Sequence, residues 1–140
     1  SVVREPDLYK CTVGYVVVYD FDIQRVVVFM VHESGRNYLK DAYPLEKSER
    51  AAQSPVYGVD RIKVPIMLVH GEKDVRVPIK NMNVLVDKLA SVGKKPDEVI
   101  VEKKEAHGFR DLDNQVNLYT RMLAFFDKYI GPKAVPAVAK

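Results

Sequence analysis

Cysteine is nearly missing from this chain: Cys11 stands alone among 140 residues, so no internal disulfide can staple the fold. Its apolar strand neighbours point to a buried, unreactive thiol. There is no Cys-x-x-Cys pair and no cluster among the three histidines, hence no metal-ligand spacing, and neither a metal nor a cofactor is expected. Long apolar runs are missing too. The stretch from Val26 to Val31 is among the longest, far short of the ~20 residues a membrane helix needs, so no membrane partner is expected. Charge of one sign is scarce: the net charge is +3, and the lysines are scattered along the chain, which excludes the concentrated basic stripe of a nucleic-acid binder. No signal-peptide pattern opens the sequence, which leaves the compartment of a soluble protein, cytoplasmic or periplasmic, undecided. No internal repeat is visible, and no Gly-x-Ser-x-Gly segment occurs.

What is present describes an ordinary globular domain, with 47% hydrophobic and 29% charged residues. The length allows one domain with a core of useful size, expected over residues 1–131, followed by a flexible tail over 132–140 after the Gly131-Pro132 stop. Ile66-Met67-Leu68-Val69 is a continuous apolar run entered through Val64-Pro65 and closed by Gly71, the pattern of a strand buried on both faces. Val99-Ile100-Val101 is a second β-branched run. Between them Met82, Leu85, Val86 and Leu89 recur at helical spacing, with Pro78 near the start and Gly93 as the stop. This is a β-α-β unit, whose crossover makes the two strands parallel neighbours. Asp74 and His107 each follow one of these strands, so their loops emerge at the same sheet end, where open α/β sheets bind ligands.

A carboxylate beside an imidazole at that edge can fix the tautomer, orient the ring and stabilise the imidazolium formed when histidine takes a proton from a nucleophile. Asp74 and His107 are therefore the candidate catalytic residues. His70, at a strand end, reads as a packed, hydrogen-bonded structural residue. His32 has no motif around it and reads as structural or exposed. Arg76 reads as exposed or ion-paired, with substrate contact the sharper alternative.

Elsewhere, Cys11 to Tyr19 is expected as the first strand, closed by Asp20 and Asp22. Ser34-Gly35-Arg36-Asn37 reads as a turn, Tyr38 to Tyr43 and Leu45 to Gln53 as short helices, and 56–65 as a connection beyond Ser54-Pro55. Tyr119, Met122, Leu123, Phe126 and Ile130 form the apolar stripe of a last helix that opens near Asp113-Asn114. The segment from Tyr15 to His32 is dense in β-branched residues, which favours an added strand that pairs with the first one or with another molecule.

The motifs His70-Gly71-Glu72-Lys73-Asp74-Val75-Arg76-Val77-Pro78 and Glu105-Ala106-His107-Gly108-Phe109, together with Pro6-Asp7-Leu8-Tyr9-Lys10, Ser54-Pro55, Ile62-Lys63-Val64-Pro65 and Phe125-Phe126, resemble the prolyl oligopeptidase family of serine peptidases, which includes dipeptidyl and acylaminoacyl peptidases. The resemblance implies a three-layer α/β fold with a small, mostly parallel sheet, the carboxy-terminal portion of an α/β-hydrolase domain. It implies Asp74 as the acid and His107 as the base of a Ser-Asp-His triad, a peptide as the parent enzyme's substrate, and a serine that is not in this sequence, so that the chain is expected to be inactive alone. An esterase of related fold is the alternative enzyme; a truncated or engineered α/β module is the alternative without catalysis. An uncovered edge on the first strand leads to the expectation of a homo-oligomer, or of pairing with an amino-terminal part.

Overall fold

The structure is a computed structural model and describes residues 2–31 and 46–132. Its centre is β2 (Ile66–Gly71), in which every residue is buried. Pro65 fixes the entry, and alternation along the strand sends Ile66 and Leu68 to one layer and Met67 and Val69 to the other. β1 (Thr12–Tyr15) and β3 (Glu98–Glu102) flank it, both parallel to it, in the order β1-β2-β3. Thr12 is opposite Ile66 and Tyr15 opposite Val69; across the other side, Met67 faces Glu98 and Gly71 faces Glu102. This register ends β2 and β3 level with one another, which brings the two following loops to one edge.

Helix α3 (Lys80–Ser91) connects β2 to β3 and buries Met82, Leu85 and Leu89 against Ile66 and Leu68. It stops where Gly93 takes φ +71, a left-handed conformation that glycine adopts without penalty, while the Lys94 amide returns to the Leu89 carbonyl at 2.9 Å. The same layer holds Val56 and Val59 from a 3-10 helix (Pro55–Arg61) and Ile62, its C-cap, all within the expected connection, which follows α2 (Lys47–Gln53). On the opposite face α4 (Leu112–Ile130) buries Leu118 and Phe125 against Met67, Val69 and Ile100. The fold is therefore three-layer α/β. Among the described residues no helix is long and apolar enough to cross a membrane.

Three expectations are corrected. The stripe expected on α4 is largely its solvent face: Tyr119, Leu123 and Ile130 are exposed, whereas Leu118, Met122, Phe125, Phe126 and Tyr129 turn toward the sheet. The helix carries two adjacent apolar rows, and the sheet selects the one centred on Leu118 and Phe125. The first strand stops at Tyr15, because Val16 takes φ 49 and turns the chain out of the sheet. The valine-rich segment adds no strand: Phe21–Val31 is helix α1. Asp20 caps it, its Oδ1 accepting from the amides of Asp22 at 2.8 Å and Ile23 at 3.2 Å, and the Phe21 amide donates to Ser54 Oγ. Asp22 adds a favourable charge at the helix amino terminus and pairs with Arg50 Nε at 2.6 Å. These fixed contacts outweigh the few tenths of a kcal/mol by which each valine disfavours helix. The readings of Ser34 to Asn37, Tyr38 to Tyr43, His32 and the tail from Lys133 fall outside the described residues.

Candidate active site

The site is built first by β2. His70, fully buried at its carboxyl end, donates from Nε2 to the Val77 carbonyl at 2.7 Å and so folds the loop 72–77 back over the strand. That bond places the proton on Nε2 and leaves Nδ1 buried without a partner. His70 is structural, as its position predicts. Within the loop, Asp74 Oδ1 accepts from the amides of Arg76 and Val77, each at 2.9 Å, a turn that a short acidic side chain favours. Its second oxygen, Oδ2, faces His107 Nδ1 at 2.8 Å, with His70 Nε2 farther off at 3.7 Å. The Asp74 side chain has no exposure, while that of His107 keeps 35%. An Nδ1–H that donates to a carboxylate leaves Nε2 as the proton acceptor of the ring. Asp74 and His107, 33 positions apart, are thus brought together.

The loop after β3 is held on several sides. Its backbone lies against that of the first loop: the Lys73 amide donates to the Glu105 carbonyl at 2.9 Å, and a Cβ added to Gly71 would lie 2.3 Å from the Ala106 carbonyl oxygen. The buried Glu105 carboxylate accepts from the amides of Arg110 at 2.8 Å and Asp111 at 3.0 Å and from Asn114 Nδ2 at 2.8 Å. The Asn114 and Arg110 N–H groups hold its carboxyl below the ordinary range. The Phe109 amide donates to the Tyr15 hydroxyl, and the two rings meet edge to face with centroids 5.4 Å apart. Gln115 Nε2 donates to the Phe109 carbonyl at 2.8 Å. Gly108, at φ +103, makes the turn that presents His107. Glu105 and Tyr15 are positioning residues that sequence reasoning did not single out. The glutamate sits two places before the histidine in the quoted motif, a signal that was available; nothing in the sequence marks Tyr15.

Beside His107 opens a cleft of about 650 Å³, lined among others by Arg76, Lys104, Arg110 and Asn114. Arg76 is exposed and forms no ion pair among the described residues. No serine among the described residues lines this cleft. Cys11, half-buried away from it, has its thiol pushed up by burial, which lowers its thiolate content.

A sequence model described as the prolyl oligopeptidase family matches residues 1–133. Among solved structures, the chain resembles the acylaminoacyl peptidase of Pyrococcus horikoshii at a TM-score of 0.80 and 20% identity, covering 99% of this chain and 23% of that one. A puromycin-hydrolyzing peptidase of Mycobacterium tuberculosis gives 0.71 at 27% identity, covering 91% and 20%. A dipeptidyl peptidase 4 of Porphyromonas gingivalis gives 0.73 at 16% identity, covering 93% and 17%. The chain spans about a fifth of the length of the structures it matches.

Proposed function

Because the chain belongs to the prolyl oligopeptidase family, we propose that it forms the acid-base half of a serine-peptidase active site, with Asp74 as the acid, His107 as the base and the nucleophilic serine supplied by sequence outside these 140 residues. The observation that carries this reading is the 2.8 Å contact from His107 Nδ1 to Asp74 Oδ2, made while two backbone amides occupy the other carboxylate oxygen. The carboxylate cannot swing away, and the ring is held with Nε2 as its base.

In the proposed reaction Nε2 takes the serine hydroxyl proton as the oxygen attacks the peptide carbonyl. The carboxylate stabilises the imidazolium, and the same proton then passes to the leaving amine. Water repeats the sequence on the acyl-enzyme and releases the acid. The serine approaches from the β1 side. β1 is parallel to β2 and has no partner on its far edge among the described residues, and beside it runs an apolar groove of about 230 Å³ lined by Val3, Val13, Val17 and Leu85. An adjoining strand and helix would close both. A second copy of the chain could occupy the same edge.

Two proteins test this: the isolated chain, and a chimera in which it replaces the corresponding segment of an acylaminoacyl peptidase. The isolated chain is expected to resist fluorophosphonate labelling, and the chimera to be labelled and to hydrolyse peptide anilides. His107→Ala should lower turnover of the chimera by about a millionfold. Labelling of the isolated chain that depends on His107, or hydrolysis by a folded chimera that ignores it, would overturn the proposal.

A further inference from the structure

We infer that the cleft beside His107 is a carboxylate-binding subsite for the leaving-group side of the substrate, formed by Arg76, Lys104 and Arg110. The inference rests on the reading of His107 as the residue that protonates the leaving amine, because groups around that imidazole then face the portion of the peptide that departs.

Charge carries the argument. The cleft is lined by three basic side chains and two carboxylates, but the two signs are not equally available. Glu105 is buried, with both oxygens bonded to Arg110 N, Asp111 N and Asn114 Nδ2. Asp111 directs Oδ1 to the amides of Asp113 at 3.0 Å and Asn114 at 3.1 Å, as the cap of α4. Arg76, Lys104 and Arg110 are exposed, and none has an ion-pair partner within 4 Å among the described residues, although the Arg110 charge is near enough to help lower the Glu105 carboxyl. Glu105 is thus committed to holding the loop, and Asp111, exposed with Oδ1 in the cap, sets one carboxylate against three basic side chains.

Two of the three cations are arginines, whose planar guanidinium groups match a carboxylate with paired hydrogen bonds. A volume of about 650 Å³ lies within the range of pockets that take small organic ligands. The preferred leaving group would therefore carry a carboxylate close to the cleaved bond, either the terminal carboxylate of a short peptide or an acidic side chain. A basic residue there would be repelled.

The full chain labelled with nitrogen-15 is suited to the test, following the Nε–H signals of Arg76 and Arg110 and the ring of His107. Glycylglycine is expected to shift them saturably, and glycylglycinamide at least fivefold more weakly. Arg76→Gln and Arg110→Gln should each weaken glycylglycine roughly twofold to fivefold, and added salt should weaken it further. Glycyl-aspartate α-amide separates the two sources: a response equal to that of glycylglycine assigns any carboxylate, and a much weaker one assigns the peptide terminus. Equal shifts from glycylglycine and its amide, or shifts that map elsewhere, would overturn the subsite. This failure is distinguishable from failure of the catalytic reading, which shows in the chimera as hydrolysis that survives His107→Ala whatever the dipeptides do.

Discussion

The carboxyl end of β2 and β3 differs from the flank of β1 in how completely its polar groups are matched. At the first, both oxygens of Asp74, both of Glu105 and the Tyr15 hydroxyl have partners, while His70 Nδ1 and the Oε1 of Gln24, which holds the Arg76 carbonyl, have none. At the second, the Tyr19 hydroxyl is buried without one, against Gly14, and burial pushes that phenol well up. Two tyrosines four residues apart thus end in opposite circumstances. The Asp74–His107 geometry is built by residues 70–77 and 105–115, with one hydroxyl from β1 and one amide from α1, where Gln24 Nε2 donates to the Arg76 carbonyl at 2.7 Å. The flank leaves β1 as an edge strand among the described residues.

The largest expected effect breaks the first region. Asp74→Asn keeps an oxygen for the Arg76 and Val77 amides but removes the charge facing His107, so in the chimera kcat should fall about ten-thousandfold with little change in thermal midpoint. A loss below tenfold would refute the role of Asp74. Next is Glu105→Gln. An amide cannot accept from all three donors that the carboxylate serves, and the variant should lose about 2 kcal/mol in urea unfolding at neutral pH. Because the folded carboxyl is held below its ordinary 4.5, the wild-type contribution is fully present above that pH and disappears as pH falls through the lower folded value. The variant should lack that acid-side dependence.

The paired tyrosines give the smaller effects and the sharpest comparison. Tyr15→Phe strips the Phe109 amide of its acceptor, with an expected loss of about 1 kcal/mol and faster hydrogen exchange at Phe109. Tyr19→Phe removes a hydroxyl that has no partner and should be neutral or raise stability by up to about 1 kcal/mol. Equal destabilisation by both would erase the distinction between the regions.

The parts of this molecule legible in the sequence are those set by neighbours in the chain. β2 is announced by Pro65 and an unbroken apolar run, and α3 by Met82, Leu85 and Leu89 with Gly93 behind them; both have the extent their punctuation suggests, within two residues. The meeting of Asp74 with His107 follows from two strands ending level. What escaped depends on distant partners. The start of α1 relies on Ser54 Oγ, and Asn81 Oδ1 accepts from the amides of Tyr19 and Asp20 across more than sixty residues. The hydroxyl that steadies the histidine loop lies 94 residues from its partner. The phase of α4 was undecidable along the helix, because Leu118 and Tyr119 start equally apolar rows and only the sheet distinguishes them.

The close approach at Gly71 has a consequence for how such a site can diversify. Since the two loops touch backbone to backbone there, the spacing between the Asp74 and His107 backbones does not depend on the length of any side chain nearby. Glu72, Lys73, Lys103 and Lys104 are exposed around the junction and can be randomised as a library that samples new surface contacts over an unchanged Asp74–His107 frame. A single methyl group at 71 would move the frame itself.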